Sequence, residues 1–500
     1  MNHHFLPEET ISDNKIPDTV IGYVSVQAAE SVFGEKVERL HKTVKAYRAK
    51  KSDRDSVQRE LNKMGFSILA ASSLGYSVAA PGEAYEELTG GTLETREFLH
   101  NIDADYSMYV THVDIVGDKQ PESLGVGMAK SAKLKIDGVL IEKPRFYNAA
   151  VFPSPIPPTS PKFHLRVPED VGVALNASAA HQSGHRGEGV LVAMPDSGQF
   201  RHPFFTAHGF NMSRTITVVP GTDPSADPVG HGTGESANIF AVAPGAVLQA
   251  IRASNNAGKL SGAIAGFLKA KSLNPKPRII TNSWGGDLHF PPSGQPDTSE
   301  LAWAAEIQDA IDQGILVVFS AGNSQFSIEP QVPGVLSAGG VFLDSTGNMR
   351  ASNYTSGYAS PWFDDVNIPT ASGLVGMLPR AQYIMLPVPP ACELDQEESE
   401  SDPPGDPSSD GTLPNDGWAL FSGTSAAAPQ LAGVAALVLG AKPDLSPAQV
   451  IETMTKTATD ITTGSCHPRF NNPATLGADL ATGAGLVNAT AAVQYALDNF

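Results

Sequence analysis

The chain has little cysteine, little basic charge and no long apolar run. Its 500 residues include only two cysteines, Cys392 and Cys466, which lack metal-ligand spacing; one bridge between them is possible, but we expect two unpaired thiols. With 34 basic against 53 acidic residues, the net charge is -19. This balance argues against nucleic acid or an anionic membrane as the main partner, because both bind basic surfaces. Nowhere do 18 apolar residues run together, so no membrane span is predicted.

The first residues lack a basic stretch followed by an apolar one, which is the pattern of a secretory signal. We therefore expect a cytoplasmic protein. The composition, with 41% hydrophobic and 17% charged residues, is typical of a soluble globular enzyme, and the length allows two or three domains.

Residues 1–150 predict a small α+β domain. Within 19–99 the order is strand, helix, strand, strand, helix, strand, which is the ferredoxin-like pattern. The first strand is "TVIGYVSV", the last is "TLETREFL", and the long charged helix between the first two strands has apolar residues at helical spacing, namely Val37, Leu40, Val44 and Tyr47. Further strands such as "KLKIDGVLIE" extend the domain. A proline-rich linker at 151–164 then predicts a domain boundary.

From residue 165 to 500 the pattern is α/β. Apolar strands such as "VLVAMPD", "RIITNSW" and "ILVVFSAGN" alternate with helical stretches, which predicts a mostly parallel sheet covered by helices on both faces. The segment 393–416 is acidic, without lysine or arginine, and is predicted to be a disordered or loosely ordered insertion. It lacks the fixed spacing of a calcium loop, so calcium is possible but not indicated. We expect no cofactor and no metal.

Four short segments supply the groups that a serine needs to hydrolyse an amide: a nucleophile, a base, an acid that orients the base, and an oxyanion donor. Asp196 lies in "MPDSGQF", His231 in "VGHGTGE", Asn323 in "FSAGNS" and Ser425 in "SGTSAAAP". Each segment alone is common. Together they are specific, because Asp, His and Ser follow one of the three chain orders known for this triad.

On these segments the chain resembles the subtilisin-type serine proteases, the subtilases, over about residues 165–500. The resemblance implies a three-layer subtilisin-like fold and a serine endopeptidase. It assigns Asp196 as the orienting acid, His231 as the general base and acid, and Ser425 as the nucleophile. The Asn323 side chain and the Ser425 N–H form the implied oxyanion hole.

The resemblance also implies where a polypeptide substrate binds. The segments "ASNNAGKLSG" and "NSWGGD" would form two edges between which the peptide lies as an added strand. Gly258, Ser283, Trp284 and Gly285 are then substrate contacts, with the alternative that Trp284 merely packs. Many subtilases carry a ferredoxin-like propeptide that assists folding and then inhibits the enzyme. The N-terminal domain is the corresponding partner here, with cleavage expected between Tyr147 and Lys162.

Alternatives to this interpretation remain. The sedolisins share the fold but use Glu for the histidine base and Asp for the oxyanion asparagine; His231 and Asn323 instead predict a neutral-to-alkaline optimum. A catalytically silent pseudoprotease that acts as a binding scaffold is the non-enzyme alternative.

The chain also differs from the family pattern. The calcium-binding loop that several bacterial subtilisins insert after the histidine is missing. The acidic insertion before Ser425 suggests gating of the cleft or a preference for basic substrates.

Overall fold

The structure is a computed structural model that describes residues 10–11, 16–33, 44–103, 106–121, 123–147, 163–379, 381–399, 409–412 and 414–500. Several predictions lie outside these residues. They concern most of the linker and cleavage region, the first half of the long charged helix with Val37 and Leu40, and the middle of the acidic insertion.

The N-terminal domain is built on a five-stranded antiparallel sheet. Its elements are β1 (Thr10–Ile11), β2 (Val20–Val26), α1 (Lys51–Lys63), β3 (Ser67–Ala71), β4 (Gly75–Ala80), α2 (Gly82–Thr89), β5 (Thr92–Asp103), β6 (Tyr106–Val116), β7 (Val126–Gly127), β8 (Ile136–Ile141) and β9 (Phe146–Tyr147). The strand order of the sheet is β3-β4-β2-β8-β7. Without β7, this is the ferredoxin-like order.

Two details of the predicted N-terminal domain are wrong. The segment 92–99 does not close the ferredoxin-like sheet, because it forms part of β5, which pairs with β6 and β1 in a separate sheet. The pairing of β5 with β6 needs only a short connection, and its loop-closure entropy is small. The closing strand is instead β8, whose Val139 is fully buried. The described helix before β3 begins at Lys51, and Val44 and Tyr47 lie in a 3-10 turn ahead of it.

The second domain carries the larger sheet. Its strands are β10 (Leu165–Arg166), β11 (Leu191–Asp196), β12 (Asn211–Met212), β13 (Ile216–Thr217), β14 (Val247–Arg252), β15 (Ile279–Asn282), β16 (Trp284–Gly285), β17 (Leu316–Ser320), β18 (Leu336–Leu343), β19 (Met349–Ala351), β20 (Tyr358–Ala359), β21 (Asn367–Ile368), β22 (Ala371–Leu374), β23 (Ile384–Pro387) and β24 (Trp418–Phe421). Its helices are α3 (Glu169–Ala174), α4 (Ser178–Gln182), α5 (Pro203–His208), α6 (His231–Val242), α7 (Ala263–Lys271), α8 (Thr298–Asp312), α9 (Glu393–Glu398), α10 (Thr424–Ala441), α11 (Pro447–Thr457) and α12 (Ala489–Asn499).

The predicted α/β architecture is confirmed. The sheet runs β12-β14-β11-β15-β17-β18-β19, with β13 beside β14 and β22 beside β18, and β18 with β19 is its antiparallel pair. Successive residues of a strand point to opposite faces. Val192 and Met194 of β11 join the core under α6 and α10, whereas Ala193 joins the core under α7 and α8. Helices therefore cover both faces of the sheet and make three layers.

Helix α10 is the central helix of this domain. Among the described residues it alone has the length and hydropathy of a membrane span, but 89% of it is buried inside the protein. Its alanines and Gly433 allow close packing against α6, where a Cβ at Gly433 would lie 3.0 Å from the Ile239 carbonyl oxygen. The helix is therefore a core helix. Cys392 and Cys466 are both buried and unpaired, as expected.

The acidic insertion is more ordered than predicted at both of its ends. Residues 393–398 form α9, and Asp395 is fully buried. Its Oδ2 accepts hydrogen bonds from the backbone N–H of Ala391 and of Gly417, and Asp410 accepts one from Leu420. The carboxylates are thus used as acceptors for turn and strand N–H groups, which composition alone does not reveal.

Candidate active site

Two strands of the large sheet and two helices meet at the candidate site. Strand β11 ends at Asp196, and β17 ends three residues before Asn323. Helix α6 begins at His231, and Ser425 is the second residue of α10. Because β11 and β17 belong to the parallel part of the sheet, their carboxyl ends lie at the same edge. The strands place Asp196 and Asn323 there, and the hydrogen bonds of His231 to Asp196 and of Thr424 to Asn323 bring the starts of the two helices to the same edge.

Asp196 and His231 form a buried hydrogen-bonded pair. The Nδ1 atom of His231 lies 2.7 Å from Asp196 Oδ1, and the two side chains are at most 1% exposed. The same oxygen accepts the Ser197 N–H at 2.6 Å. Burial alone would lower the pKa of His231, but the Asp196 carboxylate, helped by Glu235 and Asp227, raises it to about 9. The pair can hold the imidazole in one tautomer.

The start of α6 is fixed by Asp227, which the sequence reasoning missed. Its carboxylate accepts the N–H of Gly230 and both the N–H and the hydroxyl of Thr233. Gly230, just before the helix, has a φ of 90°, a conformation that favours glycine. The signal for this role was present, since an aspartate shortly before a helix often satisfies its first N–H groups.

Ser425 and Ser283 hold each other at the opening turn of α10. The Ser425 hydroxyl donates to the Ser283 carbonyl at 3.1 Å, and the Ser283 hydroxyl donates to the Ser425 carbonyl at 2.8 Å. The Ser425 carbonyl is available because Pro429, four residues later, has no N–H to offer it. As the second residue of the helix, Ser425 also has an N–H without an acceptor in the helix.

Thr424 orients the Asn323 amide, a role that sequence reasoning also missed. The Asn323 Oδ1 accepts the Thr424 N–H at 2.9 Å and the Thr424 hydroxyl at 3.0 Å. The Thr424 oxygen in turn accepts the Gly322 N–H at 3.1 Å. With its oxygen held on this side, Asn323 must present its NH₂ group on the other side. The signal was the hydroxyl next to the candidate nucleophile.

The predicted substrate edges are placed differently from each other. In β16, Trp284 and Gly285 pair antiparallel with Tyr147 and Phe146 of β9, so this segment is a strand edge. The segment 253–262 is a turn, and none of its residues lies in a described strand. Its Asn255 N–H donates to the Lys259 carbonyl. The segments 253–262 and 282–287 are both polar and contain glycine. Among the described residues, the second pairs with a strand, β9, and the first does not.

The residues predicted to contact the substrate lie in different environments. Gly258 lies in the turn with a φ of 78°, and the Ser283 hydroxyl donates to the Ser425 carbonyl. The Trp284 side chain is fully buried, donates from Nε1 to the Pro195 carbonyl and stacks on Trp303, so the packing alternative describes its indole. The backbone of 284–285 is extended and pairs with β9.

Residues 187–485 match the model of the subtilase family, and they make up more than half of the chain. The chain belongs to the subtilase family. This subtilase is 29% identical over 345 residues to a probable subtilase-type serine protease of Deinococcus radiodurans, covering 63% of this chain and 41% of that protein. It is 27% identical to the subtilisin of Bacillus pumilus over 340 residues, covering 64% of this chain and 96% of that protein.

A solved structure, that of fervidolysin from Fervidobacterium pennivorans, a keratinolytic enzyme related to subtilisin, has a similar fold. The TM-score is 0.54 at 19% identity, over 97% of this subtilase and 62% of that chain. The likeness concerns the fold. This subtilase thus spans less than two thirds of fervidolysin and of the Deinococcus protein, but nearly all of the Bacillus pumilus subtilisin.

Thr424→Val is expected to lower kcat by roughly fivefold with little change in KM. Valine keeps the shape of threonine but removes one of the two hydrogen bonds that hold Asn323 Oδ1, at a cost of about 1 kcal/mol. Steady-state kinetics on a peptide substrate measure the effect. The matched control is Thr457→Val on the surface helix α11, which should leave both constants unchanged. Equal kinetics of the two variants would contradict the role assigned to Thr424.

Proposed function

We propose that this subtilase is a serine endopeptidase whose nucleophile is Ser425, whose base is His231 and whose orienting acid is Asp196. The observation that carries the proposal is the 2.7 Å hydrogen bond between Asp196 and His231, in a buried site that also holds Ser425. With Nδ1 bound to the aspartate, the other ring nitrogen, Nε2, is the one that can take a proton from the serine.

The proposed reaction uses two donors for the developing negative charge. As Ser425 Oγ attacks the scissile carbonyl, its proton passes to His231 Nε2, which later gives it to the leaving amine. The oxygen that becomes negative is stabilised by the Ser425 N–H and the Asn323 NH₂ group. In the present arrangement the Ser425 hydroxyl donates to Ser283, so the hydroxyl must turn from that carbonyl before it reacts.

We further propose that the chain is made as an autoinhibited zymogen, with its N-terminal domain as the inhibitor. The pairing of β9 with β16 supports this, because a peptide substrate would need the same strand edge. Residues 146–147 lie at the start of the region between Tyr147 and Lys162 in which cleavage is predicted. Removal of the N-terminal domain would then free the edge for polypeptide substrates.

Charged contacts beside this strand support a tight fit between the domains. Glu142 accepts the Ile264 N–H at 3.0 Å, in the first turn of α7, and its burial raises its pKa to about 7. The Arg145 side chain, 4% exposed, lies 3.5 Å from Glu329 and 3.9 Å from Glu300. Truncating one member of such a buried charge set leaves the others uncompensated.

A second group of contacts joins the N-terminal domain to α8, at residues that follow Glu300 along this helix. The Tyr23 hydroxyl donates to Glu306, and Arg48 donates to Asp309 at 2.7 Å. Lys271 of α7 also bonds both carboxylates, so the cluster joins the two helices to the N-terminal domain. The acidic face of the catalytic domain is thereby paired with basic and hydroxyl groups of the proposed inhibitor.

Freshly purified chain is expected to cut itself between residues 147 and 162, whereas Ser425→Ala is expected to remain full length. Electrophoresis and mass spectrometry of the two fragments locate the break. The matched control, Ser183→Ala, removes an exposed hydroxyl after α4 and should cut itself as the unaltered chain does. Cleavage of Ser425→Ala at the same site and rate would contradict the proposal. Full-length protein in all three cases, without peptide hydrolysis, would favour a binding scaffold.

A further inference from the structure

A second carboxylate, Glu235, lies beside the candidate base on the side of the ring opposite Asp196. It follows His231 by one helical turn of α6, and both side chains are fully buried. Its Oε1 is 3.9 Å from His231 Nε2, the nitrogen that Asp196 does not touch. The nitrogen that exchanges the proton with the nucleophile therefore has a carboxyl group within charge-interaction range.

A chain of hydrogen bonds fixes how this carboxyl group is turned. The Leu374 N–H donates to Gln430 Oε1 at 2.6 Å, and since a backbone N–H can only donate, the Gln430 NH₂ must face the other way. That NH₂ donates to Asn238 Oδ1 at 3.2 Å. The Asn238 NH₂ then donates to Glu235 Oε2 at 2.9 Å. The direction of every bond follows from the first.

This chain leaves one oxygen of Glu235 for the histidine. Oε2 is occupied as an acceptor, and in the part of the chain that the structure describes Oε1 has no hydrogen-bond partner. A proton bound to Glu235 consequently lies on Oε1, facing His231. Burial raises the pKa of Glu235 to about 8, although His231 and Asn238 oppose the rise. Burying a carboxyl group in this way costs free energy that an apolar side chain of similar size would not cost, so a packing role does not account for Glu235.

We propose that Glu235 is a positioning residue that acts as a second carboxylate of His231 and couples the protonation of the histidine to its own. The inference rests on the proposed function, in which His231 is the base. The other charged groups that face the pair are Asp196 from β11 and Asp227 before α6. Helix α10 and strand β23, which pack against α6, contain no charged residue, and α3 meets α6 at Gly172, against the Ala241 carbonyl at the end of α6 far from His231.

The coupling has a definite effect on the pH profile. The pair holds one proton either as His⁺ with Glu⁻ or as neutral His with neutral Glu, and only a neutral histidine can act as the base. The nearby Glu235 charge favours the first form, so the acid limb of kcat/KM is moved to higher pH. Glu235→Gln presents a neutral amide in the same place and lacks the charge.

Glu235→Gln is expected to move the acid limb of kcat/KM to lower pH by about one unit, as for opposite charges at this separation. At a pH below both limbs, this variant should retain a fraction of its plateau kcat/KM that is up to about tenfold larger than the fraction retained by the unaltered protein. Structural damage would not produce this difference. The control Glu452→Gln, at a surface ion pair with Lys456, keeps the original limb. If active Glu235→Gln and the unaltered protein have the acid limb of kcat/KM at the same pH, the inference is overturned.

A titration that needs no activity separates this inference from the proposed function. In full-length Ser425→Ala, the imidazole signal of His231 is followed by NMR against pH, and it is assigned by its loss in His231→Gln. Adding Glu235→Gln should lower the midpoint by about one unit; an unchanged midpoint overturns the coupling even if no variant hydrolyses peptides. If Glu235→Gln fails to fold, Asn238→Ala, which removes the donor that stabilises the ionised carboxylate, should give a smaller shift in the same direction.

Discussion

His231→Ala is expected to lower kcat by about 10⁶-fold on a peptide substrate after removal of the N-terminal domain. That magnitude is the one measured for the histidine of subtilisin itself, and we carry it over to His231. The physical reason is that Ser425 without a base cannot lose its proton as it attacks. Asp196→Asn should cost less, about 10⁴-fold, because an amide leaves the base present but favours the wrong tautomer.

The same variants give a test that stability effects cannot imitate. If His231 and Ser425 act as one unit, the double variant His231→Ala with Ser425→Ala should lose no more activity than either single variant. Single-turnover and steady-state kinetics on one substrate measure the three losses, and circular dichroism checks that each variant is folded. Losses that multiply in the double variant would contradict a shared catalytic unit.

Asn323→Ala is expected to lower kcat by about 10²–10³-fold with KM nearly unchanged. The range belongs to the oxyanion asparagine of subtilisin, which is the measured case. The loss falls on kcat because the NH₂ group, turned outward by the bonds of Thr424 to Oδ1, meets a negative oxygen only in the transition state. Asn211→Ala, at an exposed asparagine of β12, is the matched control and should change neither constant. A rise in KM alone would instead assign Asn323 to substrate binding.

The large sheet was predictable from the sequence because its strands are short apolar runs that end in distinctive residues. "VLVAMPD" and "ILVVFSAGN" became β11 and β17, with Asp196 and Asn323 at or just beyond their ends. Parallel strands buried on both faces leave little ambiguity in such a pattern. The meeting of these residues with His231 and Ser425 followed from the family resemblance, and the Asp196–His231 bond gives it a geometric basis.

What the sequence could not provide depends on pairing over long distances. Both 92–99 and 136–141 form extended strands, and which of them closes the sheet depends on which partner pairs with which edge. In the same way, the local sequence of 253–262 and of 282–287 does not show which segment pairs with another strand. The contact of Thr424 with Asn323 could not be predicted because these residues are 101 apart in the chain. Glu235 is only four residues from His231, but the sequence does not show that both side chains are buried.

Labelling by an active-serine phosphonate tests the proposed triad most directly. Chain freed of its N-terminal domain should take up one phosphonate, and mass spectrometry of the digested protein should place it on Ser425. His231→Ala should remain unlabelled, because the reagent needs an activated hydroxyl. No labelling of the freed chain, or labelling at Ser425 that is as fast in His231→Ala, would contradict a catalytic triad of Asp196, His231 and Ser425.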